Sequence, residues 1–311
     1  MTLQNILDAA LKRVGLLETT TTFEDQARVY ANIVASEILS EGLWWFAKKT
    51  ATIRTTRRIT VTSPTGSYTA GEEVRDAQAS YYSATVDSFD STNNYLYVYS
   101  ENSVTPTGTL TGQSSGVGST YSSREFTRTY LLAAEVDALR FFVNETDGAP
   151  WAMIGDEDYI ISDPDRDDTG DAGAVMIEGL DTDTNTGQVQ VAFLPRHATT
   201  NETIRYGYYR DHTDWTSGDD GTDLARWFPT RIQPALIFGI ARLYKQEKGN
   251  GEEALDDQRE YTNVINNAKK QNRAIQGNRR FRKRGEMRRS GRSSITRGKP
   301  FEFRVTSGSL S

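Results

Sequence analysis

The spacing of the apolar residues changes from helical to strand-like and back to helical along the chain, and this change constrains the fold most. Near the start, apolar residues recur at steps of three and four, which predicts an amphipathic helix: Leu3, Ile6, Leu7, Ala10 and Val14. Thr21 and Glu24 then form the pattern of a capping box, which predicts the start of a second helix. Because the link between them is short, the two helices are predicted to pack as an antiparallel pair.

The middle of the chain has the composition and the period of β structure. Residues 51–125 are rich in Thr, Ser, Gly and Tyr. Within them, residues 95–99 place three tyrosines on one face and two aliphatic side chains on the other, as in a strand. Two turn-and-strand units, at residues 71–74 and 108–116, look related. We therefore expect a small all-β insertion over residues 51–125, followed by a β-rich body over residues 126–225.

A second helical block is predicted near the end of the chain. Pro229 suits a first helical position, where an amide has no partner, but Pro234 is expected to break or kink the early turns. One apolar stripe follows, formed by Ile232, Leu236, Ile240 and Leu243. The Gly-Asn-Gly sequence at residues 249–251 ends this helix, and a last helix is predicted over residues 252–275.

Together these patterns predict an α+β fold. An antiparallel helical bundle, built from both ends of the chain at residues 1–50 and 226–275, forms a docking domain that carries an inserted all-β domain. An extended basic C-terminal tail follows over residues 276–311. Apolar residues make up 36% of the chain, below the usual share for a single compact globule, so part of the helical surface is expected to be buried against partners.

Charge is divided unequally along the chain. The whole sequence carries 36 Lys and Arg against 42 Asp and Glu, a formal net charge of −6. Residues 269–299 hold 13 of the basic residues and a single acid, Glu286, which leaves the remainder at a net −18. An acidic body with a basic tail predicts different surroundings for the two parts.

The composition leaves little room for enzymatic chemistry. The absence of cysteine excludes disulfides, thiolate metal sites and cysteine nucleophiles, and only His197 and His212 offer an imidazole. The acidic run at residues 163–171 lacks the Gly and Glu spacing of a calcium loop. No Gly-x-Ser-x-Gly elbow and no Walker loop is present. We therefore predict no catalytic residues, no metal site and no cofactor.

No membrane association is expected either. Residues 1–5 are not a basic region followed by an apolar core, so no signal peptide is predicted. No apolar run approaches the roughly 20 residues that a transmembrane helix needs. The longest, at residues 232–243, is interrupted by Pro234 and Gly239.

The most informative part of the sequence runs from a strand into a helical hairpin. Residues 204–210 read Ile-Arg-Tyr-Gly-Tyr-Tyr-Arg, residues 227–229 read Trp-Phe-Pro, and an apolar helix and a Gly-rich break follow at residues 235–244 and 249–251. In this order, and with the Trp-rich segment at residues 43–47, they resemble the head-to-tail adaptor (connector) family of tailed phages, including the tail tubular protein A group of short-tailed phages. The turns of the β insertion also resemble phage tail modules.

The resemblance implies a structural, non-enzymatic protein of the virion at the head-to-tail junction, synthesised in the bacterial host cytoplasm. It implies a homo-oligomeric ring, usually of twelve copies, that docks beneath the portal protein and links it to the tail nozzle or tail tube protein. Genomic DNA would pass through the central channel without sequence-specific binding. An acidic body suits this role because negative walls repel phosphate.

The resemblance also implies that a C-terminal segment reaches the portal. Here the candidate is the basic segment after Gln276, with the portal-binding residues Arg279, Arg280, Phe281, Arg282, Lys283, Arg284, Arg288 and Arg289. Arginine side chains there would pair with portal carboxylates. The same segment is also compatible with nucleic-acid binding, with Phe281 as a stacking group, or with a solvated tail.

Four aromatic residues are candidates for an interface with partner chains, because aromatic side chains contribute disproportionately to binding. They are Trp44, Trp45, Trp227 and Phe228. The alternative for Trp44, Trp45 and Phe46 is packing in the core where the second helix meets the β region.

Two other functions remain compatible with the sequence. A DNA-binding head-completion protein would bind duplex DNA through residues 269–299, with an affinity that falls as salt is added. A tail-associated polysaccharide depolymerase would need two carboxylates held across a cleft. With 42 acidic residues in the sequence, no pair stands out.

Overall fold

A computed structural model of the chain shows a β body with helices from the two ends of the sequence packed together beside it. It describes residues 1–16, 21–155, 157–158, 161, 168–180, 188–198, 201–224 and 227–289, and residues 276–289 by their backbone alone.

Within these residues the chain forms four α-helices and fifteen strands. The helices are α1 (Leu3–Arg13), α2 (Thr21–Ser40), α3 (Gln233–Glu247) and α4 (Gly251–Arg289). The strands are β1 (Lys48–Arg54), β2 (Arg57–Thr62), β3 (Glu73–Asp76), β4 (Ser83–Asp90), β5 (Tyr95–Tyr99), β6 (Thr109–Gly112), β7 (Gly118–Phe126), β8 (Thr129–Leu131), β9 (Val136–Asn144), β10 (Pro150–Ile154), β11 (Thr169–Gly170), β12 (Ala174–Leu180), β13 (Val189–Leu194), β14 (Arg196–His197) and β15 (Thr203–Arg210).

The predicted fold class is wrong. The strands form a seven-stranded sheet, a closed six-stranded barrel and a two-stranded sheet. The protein is therefore mostly β, with helices attached to a β body, and is not a helical docking domain that carries an inserted all-β domain. Local spacing of apolar residues could not reveal this, because β1 pairs along its whole length with β15, a strand that lies beyond the entire barrel in sequence.

The seven-stranded sheet has the order β1-β15-β9-β10-β12-β13-β8. Its neighbours are antiparallel except for β10 and β12, which are parallel. Strand β15 contributes to two cores, because Tyr206 and Tyr208 pack within the sheet core while Tyr209 packs against the helices. The sheet and the helices are thus joined through one strand.

The barrel has the order β2-β5-β4-β3-β6-β7 and spans the chain from Arg57 to Phe126. Its core contains Leu96 and Val98 of β5, while the tyrosines of that strand lie on the other face and are half-buried. The chain enters and leaves the barrel at one place. There the hydroxyls of Thr56 and Thr127 lie 2.8 Å apart, and the Thr127 N–H donates to the Thr56 carbonyl at 3.1 Å.

A buried carboxylate holds two loops of the barrel together. Glu72 accepts hydrogen bonds from the backbone N–H groups of Thr69 (2.6 Å), Ser114 (3.1 Å) and Ser115 (2.9 Å), and from the Ser115 hydroxyl (2.9 Å). Burial alone would raise the pKa of Glu72, but these hydrogen bonds outweigh it and lower the pKa. The two turn units that look related in sequence therefore meet at this side chain.

The four helices share one apolar core with Trp44, Tyr209 and Phe228. Helices α2 and α3 approach closely at Gly239, where an added Cβ atom would lie 2.5 Å from Cγ1 of Val34. The helix does not start at Pro229 as predicted. Helix α3 starts at Gln233, so Pro234 occupies its first turn and does not kink its interior.

A buried ion cluster connects three of these helices. The carboxylate of Asp257, on α4, is fully buried and lies 2.5 Å from Nε of Arg13 on α1 and 3.0 Å from Nζ of Lys245 on α3. Removing one partner of such a cluster leaves an uncompensated buried charge, which is strongly destabilising.

The predicted extended tail is also wrong in its first part. Helix α4 continues through the basic segment to Arg289, and residues 290–311 lie outside the described part of the chain. The absence of an apolar period suggested an extended chain, but Arg, Lys, Gln and Met are good helix formers and do not require an apolar stripe to continue a helix.

Candidate interaction surfaces

The sequence segments that carry the resemblance meet around Trp227. Arg210, at the end of β15, is buried, and its guanidinium carbon lies 4.4 Å from the centroid of the Trp227 ring. Nη2 of Arg210 also donates to the Trp227 carbonyl at 2.9 Å. Burial lowers the pKa of Arg210. This cation–π contact between Arg210 and Trp227 fixes the end of β15 against the segment that leads into α3.

A carboxylate continues this arrangement into β1. Glu135 accepts from Nζ of Lys49 at 3.0 Å and from the Tyr208 hydroxyl at 2.7 Å. Burial opposes ionisation of Glu135, but the bonds from Tyr208 and Lys49 prevail and lower its pKa. Lys49 also lies 5.8 Å from the Trp227 ring centroid. Glu135 therefore interacts with two cations, Lys49 and Arg210. Both of these cations also contact the Trp227 ring within the chain.

Two of the four candidate interface aromatics are buried. The indole N–H of Trp44 donates to the Ile38 carbonyl at 2.5 Å, and Phe228 packs with its ring centroid 5.8 Å from Phe46 and 6.1 Å from Trp215. Trp45, in contrast, is 44% exposed. Trp45 is therefore the better candidate for contact with a partner chain.

Trp45 belongs to a surface that we call the α4 patch, formed by Leu43, Trp45, Lys269, Arg273 and Ile275. Asn272 holds the segment before β1 in place, because its Oδ1 accepts from the Trp45 N–H at 3.0 Å and its Nδ2 donates to the Leu43 carbonyl at 3.1 Å. Ile275 is one turn further along the same helix face as Asn272. The patch is therefore apolar in the middle and basic at its edge.

A second surface, the α2 groove, lies along the outer face of α2. It is a groove of about 680 Å³ between that helix and the loops at the ends of β9 and β15. Its lining combines apolar side chains with carboxylates: Val29, Asn32, Ile33, Ser36, Glu37, Leu39, Ser40, Asp137, Asp211 and Asp214. No Lys or Arg is among these described lining residues. The groove is apolar in its floor and acidic at its rim.

The portal-binding candidates lie on the last turns of α4. Helix α4 begins with acidic residues, Glu252 and Glu253, and apart from Arg259 its basic residues lie from Lys269 onward. Lys269 pairs with Glu41 of α2, which ties the start of the basic part to the helical core. The candidates from Arg279 to Arg289 are placed by their backbone, and their side chains lie outside the described part.

A polar cleft of about 670 Å³ separates the barrel from the seven-stranded sheet. Arginines stack on tyrosine rings along it, with Arg54 at 4.1 Å from the centroid of Tyr99 and Arg58 at 4.2 Å from that of Tyr95. Asp87 also lines the cleft, and burial raises its pKa against the opposing effect of Arg54. These cations are already engaged with rings of the barrel.

In the described ranges, no group of three or more His, Asp or Glu side chains is arranged to hold a metal ion. The acidic run at residues 163–171 falls mostly outside those ranges. In the same part of the chain, the helices lack an apolar stretch of membrane-spanning length.

No protein-family model matches the chain, and no curated protein matches it.

Sequence reasoning missed the α2 groove, although a signal for it was present. Val29 and Ile33 are four residues apart on α2 and are not among the buried residues of that helix. Two apolar residues at that spacing on the outer face of a helix indicate a second contact surface. The carboxylates of the rim come from distant parts of the chain, so only the fold brings them beside α2.

Proposed function

We propose that this chain is a structural head-to-tail adaptor of a tailed, and more specifically a short-tailed, phage. In this role it forms a ring beneath the portal, joins the portal to the tail nozzle or tail tube, and surrounds the channel through which the genome passes. The role is non-enzymatic and belongs to the virion.

The observation that carries this proposal is the meeting of the resemblance-bearing segments at one junction. The end of β15, the Trp-Phe-Pro segment and the helical hairpin of α3 and α4 are contiguous in space through Arg210, Trp227 and Phe228. The Trp-rich segment before β1 joins the same core through Trp44 and Phe46. Segments that resemble one family thus form one structural unit.

The long helix α4 adds support for contact with a portal. Its 39 residues extend about 58 Å at 1.5 Å per residue. The acidic first half packs in the helical core through Asp257, Tyr261 and Ile265. The basic second half therefore presents its charge at a distance from that anchor, where arginine forks suit a carboxylate-rich partner surface.

The proposal is tested by mixing the full chain with the portal protein of the same phage and recording native mass spectra and negative-stain images. Two matched variants change Arg279, Arg280, Arg282 and Arg284 together, one to Lys and one to Gln. We expect one ring per portal for the wild type, weakened binding for the Lys variant, and loss of binding for the Gln variant. The Lys variant keeps the charge but not the fork geometry.

A chain that ignores the portal and instead binds duplex DNA would overturn the adaptor proposal. In that case the affinity should fall steeply with salt, and the Gln variant should lose it while the acidic body contributes nothing. If the Gln variant bound the portal as well as the wild type, the basic segment would be excluded as the portal contact.

A further inference from the structure

We infer that copies of this chain associate head to tail, with the α2 groove of one copy receiving the α4 patch of the next. The inference deepens the proposed function and rests on it, because it names the two surfaces through which the proposed ring would close.

The α2 groove has the properties of an unfilled contact surface. Val29 and Ile33 lie one turn apart on the same helix face and are 57% and 44% exposed. Three exposed carboxylates, Asp137, Asp211 and Asp214, face them across the groove. Burial, and then the negative charge of Asp211, raises the pKa of Asp137. A cation brought in by a partner would relieve this repulsion.

The α4 patch has the opposite charge and a matching apolar centre. Leu43, Trp45 and Ile275 are 53%, 44% and 39% exposed. Arg273 is exposed on the same helix as Ile275, and Lys269, which pairs with Glu41, lies one turn earlier on α4, so Arg273 supplies the free charge of the patch. Because Asn272 clamps the backbone on both sides of Trp44, Leu43 and Trp45 are held ready for contact, which limits the ordering that binding requires.

The two surfaces therefore complement each other in both respects that a specific interface needs. Apolar side chains occupy the centre of each, and the charged residues at the edges have opposite signs. Arginine and tryptophan in the patch are the residue types that contribute most to binding at interfaces. A second copy of the chain is the partner that supplies such a patch at equal concentration to every groove.

A contact between two different surfaces of the same chain has a geometric consequence. It is heterologous, so each copy keeps one free groove and one free patch after the first contact. Repetition gives a ring if the rotation between neighbours closes, and an open filament if it does not. A symmetric dimer, in which the same surface meets itself, would end after one contact.

The test uses full-length variants with one surface disabled. The groove variant carries Asp211→Lys and Asp214→Lys, and the patch variant carries Trp45→Ala and Arg273→Gln. Leu255→Ala is the matched control, because it removes an exposed apolar side chain that belongs to neither surface. Sedimentation equilibrium up to high concentration and native mass spectrometry, with and without the portal protein, measure assembly. Thermal melting checks that each variant folds.

We expect each surface variant to self-associate at least about tenfold more weakly than the wild type and the control. A mixture of the two variants should form a discrete dimer. The groove variant still offers an intact patch and the patch variant an intact groove, but both remaining ends are blocked. A head-to-tail contact predicts this capped dimer, and a symmetric contact does not.

The outcomes separate this inference from the proposed function. Normal rings from both variants, with or without the portal, would overturn the inference and leave the adaptor role intact. A groove variant that self-associates normally but no longer binds the portal would assign the groove to the portal and also overturn it. A wild-type chain that neither self-associates nor binds the portal would overturn both.

Discussion

The barrel and the helical core differ in how completely each buries its own apolar surface. In the barrel, all of whose residues are described, Tyr81 is the only exposed large apolar side chain between Arg57 and Phe126. Among the described residues of the helical region, seven large apolar side chains are exposed: Met1, Val29, Ile33, Leu43, Trp45, Leu255 and Ile275. The barrel closes on itself and leaves no sheet edge for pairing. The helices, in contrast, leave apolar surface that a partner can cover.

The two regions are therefore stabilised in different ways. The barrel is complete within one chain, and buried carboxylates such as Glu72 fix its loops. The helical region is held by a shared core and by the Asp257 ion cluster, while its outer faces remain available. The five tryptophans all lie outside the barrel, so their fluorescence reports on the helices and the large sheet alone.

The largest effect is expected from Phe228→Ala, which opens a cavity in the helical core. A buried Phe→Ala change destabilises by about 3–5 kcal/mol. Tryptophan emission during denaturant unfolding should show the loss, while hydrogen exchange in the barrel stays slow. Phe89→Ala, which removes a half-buried ring packed on the barrel core, is the matched control and should accelerate exchange in the barrel only. If either variant lowered the stability of both regions by the same amount, the two regions would unfold as one unit.

A smaller effect is expected from Glu72→Gln in the barrel. The new amide places an NH2 group against N–H donors that now face a carboxylate oxygen, and a buried donor left without an acceptor destabilises by about 1–3 kcal/mol. Hydrogen exchange of residues 69–72 and 112–116 measures this loss. Glu73→Gln is the control, because Glu73 is half-exposed and pairs with Arg75 at the surface, where ion pairs contribute about 0–1 kcal/mol. Equal losses for the two variants would contradict the role given to Glu72.

The smallest effect is a difference in acid sensitivity between the wild-type barrel and the barrel of the Glu72→Gln variant. The pKa of Glu72 is lowered, and so is that of Asp76, where burial opposes the shift and bonds from Gln78, Tyr82 and Thr107 prevail. A carboxylate whose pKa is lower in the folded state stabilises it above the unfolded pKa, about 4, and loses that contribution as pH falls through the folded value. Between pH 5 and 3 the wild-type barrel should therefore lose more stability than the Glu72→Gln barrel. Hydrogen exchange in the barrel measures the loss of stability in both proteins. Equal losses for the wild type and the variant would contradict this linkage.

The sequence predicts local elements better than their arrangement. Steps of three and four from Leu3 to Val14 correspond to α1, and alternation at residues 95–99 corresponds to β5. Local spacing carries no information about which strands pair. The predicted fold class was wrong for this reason, because the pairing of β1 with β15 joins strands from distant parts of the chain in one sheet.

The candidate surfaces divide in the same way. The exposure of Trp45 and the burial of Trp44 depend on one turn of backbone that no periodicity describes. The rim of the α2 groove combines Asp137 with Asp211 and Asp214. Asp137 is more than 70 residues away from the other two in sequence. Charge, in contrast, can be read directly from the sequence. The basic character of residues 269–289 was predicted, although the helical backbone of residues 276–289 was not.

The paired threonines at the base of the barrel make that region a removable module. Since the chain enters at Thr56 and leaves at Thr127, with the two backbones joined by a hydrogen bond, a short turn is enough to reconnect the body once the barrel is excised. A module attached by one narrow stem can be exchanged for another without altering the sheet or the helices. The barrel is therefore the part of this chain whose replacement would disturb the sheet and the helices least.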